Sequence, residues 1–254
     1  MGITIPRPTD EDLARCYGED YAYGAHQLIE TEKRWRSGRM LDWADVKGGR
    51  LVDVGCMFGY LLDEARARGA ETWGVELSGP PAEAAAERGH KIDCGTIEEF
   101  QKKHPDTRFD VIVAQHVLEH VTDPGSFLDA ARAMLRPSGR LALAVPNMEA
   151  RVRSLARRSW GWYQVPVHVY HFGKESLRRL LEAHGLRVTR TATRGGDSLF
   201  VVITALQSVG VSPKRGADKP PSPMLRAAFR VVYNAMRPFT AVADDELMVL
   251  AERV

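Results

Sequence analysis

Two acids and two glycines stand at spacings that suit a nucleoside ligand. Asp53-x-Gly55-x-x-x-Gly59 closes one β-branched run, and Glu76 closes the next, 23 residues further on. A strand that stops in a glycine-rich turn lets backbone N–H groups and a carboxylate approach a ligand at the carboxyl edge of a sheet. The dinucleotide fingerprint G-x-G-x-x-G would place glycines at 55, 57 and 60, where this chain has Gly55, Met57 and Tyr60. A nucleoside without pyrophosphate fits better, since no phosphate then has to sit on the helix N-terminus. Glu76, at the tip of the neighbouring strand, is placed to take both ribose hydroxyls in a bidentate hydrogen bond.

A second group of residues suits proton transfer. His116, Glu119 and His120 follow another β-branched run, and His168 and His171 lie some fifty residues later. If the segment 116–120 is helical, the first three project from one side. With His168 or His171 opposite, such a face binds a divalent cation, Mg for example, or it supplies a base from His120, His168 or His171. His26, His90, His104 and His184 read as surface residues. Between the two histidine groups, Arg151, Arg153, Arg157 and Arg158 precede Trp160, Trp162 and Tyr163. Cations mixed with aromatic faces stack sugars or grip phosphates; the same pattern is also that of a solvated basic helix with its aromatics packed into the core. Tyr17, Tyr21 and Tyr23 either close over a ligand or pack.

These residues need a scaffold that brings strand tips together. Between 50 and 145 the chain alternates short β-branched runs with longer amphipathic ones, the pattern of a doubly wound α/β sheet. Strands are predicted over 50–54, 71–76, 90–94, 109–115, 140–145, 186–192 and 246–253, and helices over 60–69, 81–89, 97–103, 124–136 and 174–184. The expected organisation is a helical cap over 1–49 and a core over 50–206 and 246–254. A lid at 147–173 and a proline-rich linker with an amphipathic helix over 207–245 complete it; that helix, 224–236, suits packing or a homodimer contact.

Composition narrows the class. The 254 residues are 44% hydrophobic and 27% charged, with a net charge of +2, which describes a globular protein without a field to recruit nucleic acid. Cys16, Cys56 and Cys94 are too far apart for a zinc cluster or a disulfide framework, pointing to free thiols in the cytoplasm. The longest apolar run, 199–206, is too short to span a bilayer.

Over 50–190 the chain resembles the class I S-adenosylmethionine-dependent methyltransferases, in particular their small-molecule and saccharide O-methyltransferases. The residues that carry the resemblance are DVGCMFG, VELS, FDVIVAQHVLEHVTDP, LRPSGRLALAVPN and PVHVYHFGKESLRRLLEAHGL. It implies a mostly parallel seven-stranded sheet of Rossmann-like type and S-adenosylmethionine as cofactor. Asp53, Gly55 and Gly59 would line its methionine and ribose, with Cys56 and Phe58 from the same loop and Tyr21 closing over it. Glu76 would hold the ribose with Leu77 beside it, Thr96 and Ile97 would flank the adenine, and Gln115 with His116 the methionine end. The resemblance also allows Glu119 and His120 a plainer part, in a turn that packs and caps the next helix, and His168 a bond to the lid backbone. Met57 replaces the family's middle glycine, which requires ordinary φ there and some spare room.

The expected activity is O-methylation of a small hydroxylated acceptor, with a sugar or saccharide first. N- or C-methylation of a natural product or quinone precursor is the alternative. An RNA methyltransferase, an NAD oxidoreductase and a cofactor sensor without catalysis stand behind these.

Overall fold

The computed structural model describes residues 1–9, 11–12, 30–156, 158, 160–194 and 244–254. Tyr17, Tyr21, Tyr23, His26, Cys16, Arg157, the run 199–206, the linker and the helix expected over 224–236 lie outside the described residues.

The chain runs β1 (Gly2–Ile3), α1 (Glu30–Trp43), β2 (Gly49–Val54), α2 (Tyr60–Ala67), β3 (Ala70–Glu76), α3 (Gly79–Glu87) and β4 (Lys91–Cys94). It continues through α4 (Ile97–Lys103), β5 (Phe109–Gln115), α5 (Pro124–Met134), β6 (Leu135–Pro146) and α6 (Arg151–Ala156). A 3-10 turn (Gly161–Tyr163), β7 (Tyr170–His171), α7 (Lys174–Ala183), β8 (Leu186–Arg194) and β9 (Glu246–Arg253) follow.

Seven strands form one sheet in the order β4-β3-β2-β5-β6-β9-β8. β2 through β6 are mutually parallel, and β9 is antiparallel to both β6 and β8. Strand alternation assigns the two faces. Val52, Val54, Ile112, Leu141, Leu143 and Val249 point into a core filled by Phe100, Phe127 and Leu128. Leu51, Val111, Val113, Ala142 and Met248 point the other way, against Leu61 and Leu62 of α2 and Met40 and Leu41 of α1. Strands buried on both faces explain the continuous apolar runs of the sequence.

Helix ends follow local chemistry. Thr96 and Glu99 form a reciprocal capping box at α4, and Asp123 Oδ1 accepts from Gly125 N (2.9 Å) and Ser126 N (3.1 Å) at α5, with Pro124 in the first turn. α2 and α3 stop before Gly69 and Gly89, both at positive φ (82° and 83°).

Three features depart from the sequence reading. The segment expected to be wholly helical also contributes β1, which pairs antiparallel with β7 in a second, two-stranded sheet. α5 ends at Met134 rather than 136, because Leu135 already pairs with Phe109. His90 is buried, not at the surface: its ring nitrogens meet Thr72 Oγ1 (2.8 Å) and Asp63 (2.9 Å).

Phe127 is 1% exposed and carries α5 onto the sheet. Phe127→Ala is expected to cost about 3–5 kcal/mol, read as a lowered urea midpoint at unchanged m-value.

Candidate functional site

The tips of β2 and β3 bring two acids together. Asp53 and Glu76 are 5% and 6% exposed. Glu76 is held by backbone: Oε2 accepts from Met57 N (2.9 Å) and Oε1 from Ser78 N (2.9 Å). The loop after β2 is sewn to the same strand, with Gly55 N and Cys56 N both donating to Val75 O (2.7 and 3.2 Å). Burial, and then the neighbouring Glu76, push the Asp53 carboxyl well above the usual carboxylate range. A cation placed against this pair relieves both effects, since opposite charge stabilises an ionised carboxylate. A sulfonium nucleoside therefore fits the donor set: cationic near the acids, with hydroxyls for a fixed carboxylate.

The loop itself is left-handed at Gly55 (φ 75°), Met57 (φ 47°) and Gly59 (φ 77°). This corrects the expectation of ordinary φ at Met57: the turn keeps the glycine conformation and imposes it on a methionine. At Gly55 a Cβ would sit 2.5 Å from Val117 Cγ2, and at Gly59 3.2 Å from Ala85 Cβ, so neighbours forbid side chains there too. Thr96, expected beside an adenine, spends its hydroxyl on the α4 cap, accepting from Glu99 N at 3.3 Å. Cys56 is buried; Cys94, at the tip of β4, is exposed, and both are free thiols. Leu77 is 63% exposed beyond Glu76.

β5 lies beside β2, with Asp53 opposite Val113, so Gln115 and His116 emerge next to the acids. The segment 116–120 is a turn, closed by His120 N donating to Val117 O (2.9 Å), and not the helix that would align His116, Glu119 and His120. His116 instead takes φ 54° and turns aside. Its Nδ1 meets Glu119 Oε1 at 3.2 Å, its Nε2 meets Glu246 Oε1 at 3.3 Å, and its ring stacks on Trp162 (centroids 4.8 Å, 11° apart). Burial alone would lower this imidazole, but the two carboxylates outweigh it and lift it to about 9.

The expected cation set therefore loses His116 and keeps His168 of the two histidines expected opposite: the donor atoms of Glu119, His120 and His168 lie within 4.8 Å of one another. Glu119 Oε2 is buried without a hydrogen-bond partner among the described residues. His168 Nδ1 is 2.7 Å from Trp162 O and His120 Nδ1 is 3.1 Å from Val167 O, so carbonyls fix the Nδ1–H tautomer of both rings. One oxygen and two nitrogens suit either a base assisted by a carboxylate or an imidazole-type cation site. His171 stands apart, its Nε2 at 3.4 Å from Thr4 Oγ1. Glu119 and His120 do not cap α5, since Asp123 does; the Glu119 carbonyl anchors the lid through Val169 N (2.8 Å) and Tyr170 N (3.1 Å).

The lid aromatics are not open stacking faces. Trp160 and Trp162 are 3% and 7% exposed and pack with Ala150, Met148 and Tyr163. Sequence reasoning missed what holds them: Asp245 Oδ2 accepts from Trp162 Nε1 (2.9 Å), and Asp244 O accepts from Asn147 Nδ2 (2.6 Å). The only signal was an acidic triplet, 244–246, opening an apolar strand.

Comparison with known proteins follows the same lines. Residues 26–191 match the family model described as a methyltransferase domain. The chain is 39% identical over 117 residues to the ubiquinone biosynthesis O-methyltransferase of Bradyrhizobium sp. (strain ORS 278), covering 44% of this chain and 45% of that protein. It is 35% identical over 154 residues to the protein of the same name from Nitrobacter winogradskyi, covering 56% and 58%. The chain thus spans about half the length of the curated relatives it matches. Among solved structures, an S-adenosylmethionine-dependent methyltransferase from Archaeoglobus fulgidus shares the fold at a TM-score of 0.61 and 18% identity, over 88% of this chain and 94% of that one.

Two predictions follow from the loop and the histidines. Met57→Gly removes a side chain from left-handed backbone and is expected to gain roughly 0.5–1 kcal/mol in urea denaturation. His168 is held at about 4, below its ordinary 6.5, chiefly by burial. Its contribution to stability is therefore full above pH 6.5 and lost as pH falls towards 4. His168→Gln should flatten the acid limb of a plot of urea midpoint against pH.

Proposed function

We propose, for a chain that belongs to the methyltransferase-domain family of class I S-adenosylmethionine-dependent enzymes, that it methylates a hydroxyl of a small acceptor held between β5, β6 and the lid. The cofactor supplies an electrophilic methyl on a sulfonium. Asp53 and Glu76 bind its nucleoside and methionine parts, with Gly55, Cys56, Phe58 and Gly59 of the loop, Leu77, and Thr96 with Ile97 around them. Gln115 and His116 border its methionine end. Transfer requires the acceptor oxygen in line with the methyl at about 3 Å and in a site without competing water.

The observation that carries the O-methyl reading is the carbonyl-fixed tautomer of His168 beside the unpartnered Glu119 Oε2. An imidazole whose Nδ1–H is committed to a carbonyl offers Nε2 as a base, and burial keeps it neutral at pH 7. Glu119 stabilises the imidazolium that forms on proton abstraction. His120 lies edge-on to His168 at 4.5 Å and shares this wall; His171 borders it. A hydroxyl needs such a base and a neutral amine does not.

The acceptor class we favour is a hydroxylated aromatic ring of the quinone-precursor type, supported by the relatives named as ubiquinone biosynthesis O-methyltransferases. A saccharide rests in part on stacking faces offered by Trp160 and Trp162, and their burial removes that support. No helix among the described residues is long and apolar enough to cross a membrane.

The test is methyl-labelled S-adenosylmethionine offered with separate pools of hydroxylated benzoates, free sugars and primary amines. Label is expected in the benzoates, with His168→Ala slowing transfer about 10²-fold or more and a chelator leaving the rate unchanged. Label in the amines that ignores His168→Ala would overturn the base. Loss of rate with chelator, restored by a divalent cation, would reassign Glu119, His120 and His168 to metal binding.

A further inference from the structure

The start of β9 places consecutive acids in contact with the two elements that make up the proposed acceptor wall. Glu246 is 1% exposed, and its carboxylate takes Arg194 through Nε (2.5 Å) and Nη2 (2.7 Å) as well as His116 Nε2 (3.3 Å). His116 Nδ1 passes the contact on to Glu119 (3.2 Å). Asp245, 1% exposed, reaches the other way: it accepts from the Trp162 indole at 2.9 Å, and the carbonyl of Trp162 in turn holds His168 Nδ1 at 2.7 Å. The His116 ring stacked on Trp162 joins the two branches. The circuit Glu246, His116, Trp162, Asp245, with Glu119 and His168 as its branches, thus closes on two adjacent residues of one strand, far from the histidines in sequence.

Such an arrangement is costly if it only holds the fold. Replacing a buried ion pair by apolar residues of similar size is often neutral or stabilising, whereas removing one partner is not. Arg194, whose side chain is 9% exposed, keeps Nη1 buried without a partner among the described residues, so the charges are not arranged for complete satisfaction. What the circuit does fix is direction: His116 is gripped at both nitrogens and on one face.

We propose that Glu246 is a positioning residue of the methyl-transfer site: through His116 it sets the orientation of Glu119 and of the Trp162 ring, and through Trp162 the lid segment that carries His168. The inference rests on the acceptor reading given above. A residue acting in this way alters the geometry of the folded site when its charge is removed, not merely the stability of the fold.

The experiment uses the full chain labelled with 5-fluorotryptophan, its Trp162 ¹⁹F resonance assigned by loss of that signal in Trp162→Phe. In Glu246→Gln the Trp162 resonance is expected to move by more than its line width, while those of Trp43 and Trp73 hold and S-adenosylhomocysteine is still bound. Should Glu246→Gln fail to fold, Arg194→Met combined with Glu246→Met removes both charges together, and the same displacement is expected. A folded variant whose Trp162 resonance is unmoved, with S-adenosylhomocysteine still bound, overturns the positioning role and leaves the methyltransferase site standing. Absence of S-adenosylhomocysteine binding by the wild type would overturn the site reading and this inference together.

Discussion

Two carboxyl groups buried side by side, Asp53 and Glu76, are the constraint around which the site is built. Like charges at low exposure repel and are poorly solvated, and here the strain is shared unequally. Glu76 is anchored by the amides of Met57 and Ser78, while burial and Glu76 itself raise Asp53. The parallel order β3-β2-β5 forces this pairing, since consecutive strand tips must open on the same edge. A bound sulfonium nucleoside supplies what the edge lacks, a positive charge and hydroxyl donors.

The wall proposed to hold the acceptor is organised by the opposite strategy. Its charges are neutralised in pairs, with Arg194 on Glu246 and His116 shared between Glu246 and Glu119. His120 and His168, the histidines of that wall, have their pKa lowered chiefly by burial, with tautomers assigned by backbone carbonyls. The N-terminal strand supports this side from outside: Thr4 donates to His168 O at 2.7 Å, and its amide pairs with Val169 O.

Much of this was legible in the sequence because it depends on local pattern. Short apolar runs read as β5 and β9 to the residue, and Gly69 and Gly89 marked two helix ends by their own chemistry. Asp53, Gly55, Gly59 and Glu76 were visible because a strand followed by a glycine turn is a short-range signal. What escaped was long-range. The helical spacing of HVLEH suggested a common face, but the left-handed turn at His116 breaks it. Whether the lid tryptophans stack on a ligand or pack into the core stays open in the sequence, because Asp245, 83 residues from Trp162, has no sequence signature as their partner. His90 reads as a surface residue because its contacts come from Thr72 and Asp63 on other elements.

The most direct test of this account is a structure of the protein with S-adenosylhomocysteine. The account predicts the ribose hydroxyls on the Glu76 carboxylate and the homocysteine sulfur facing the wall of His116, His120 and His168. A ligand lying elsewhere, with Glu76 still engaged only by the Met57 and Ser78 amides, would contradict it.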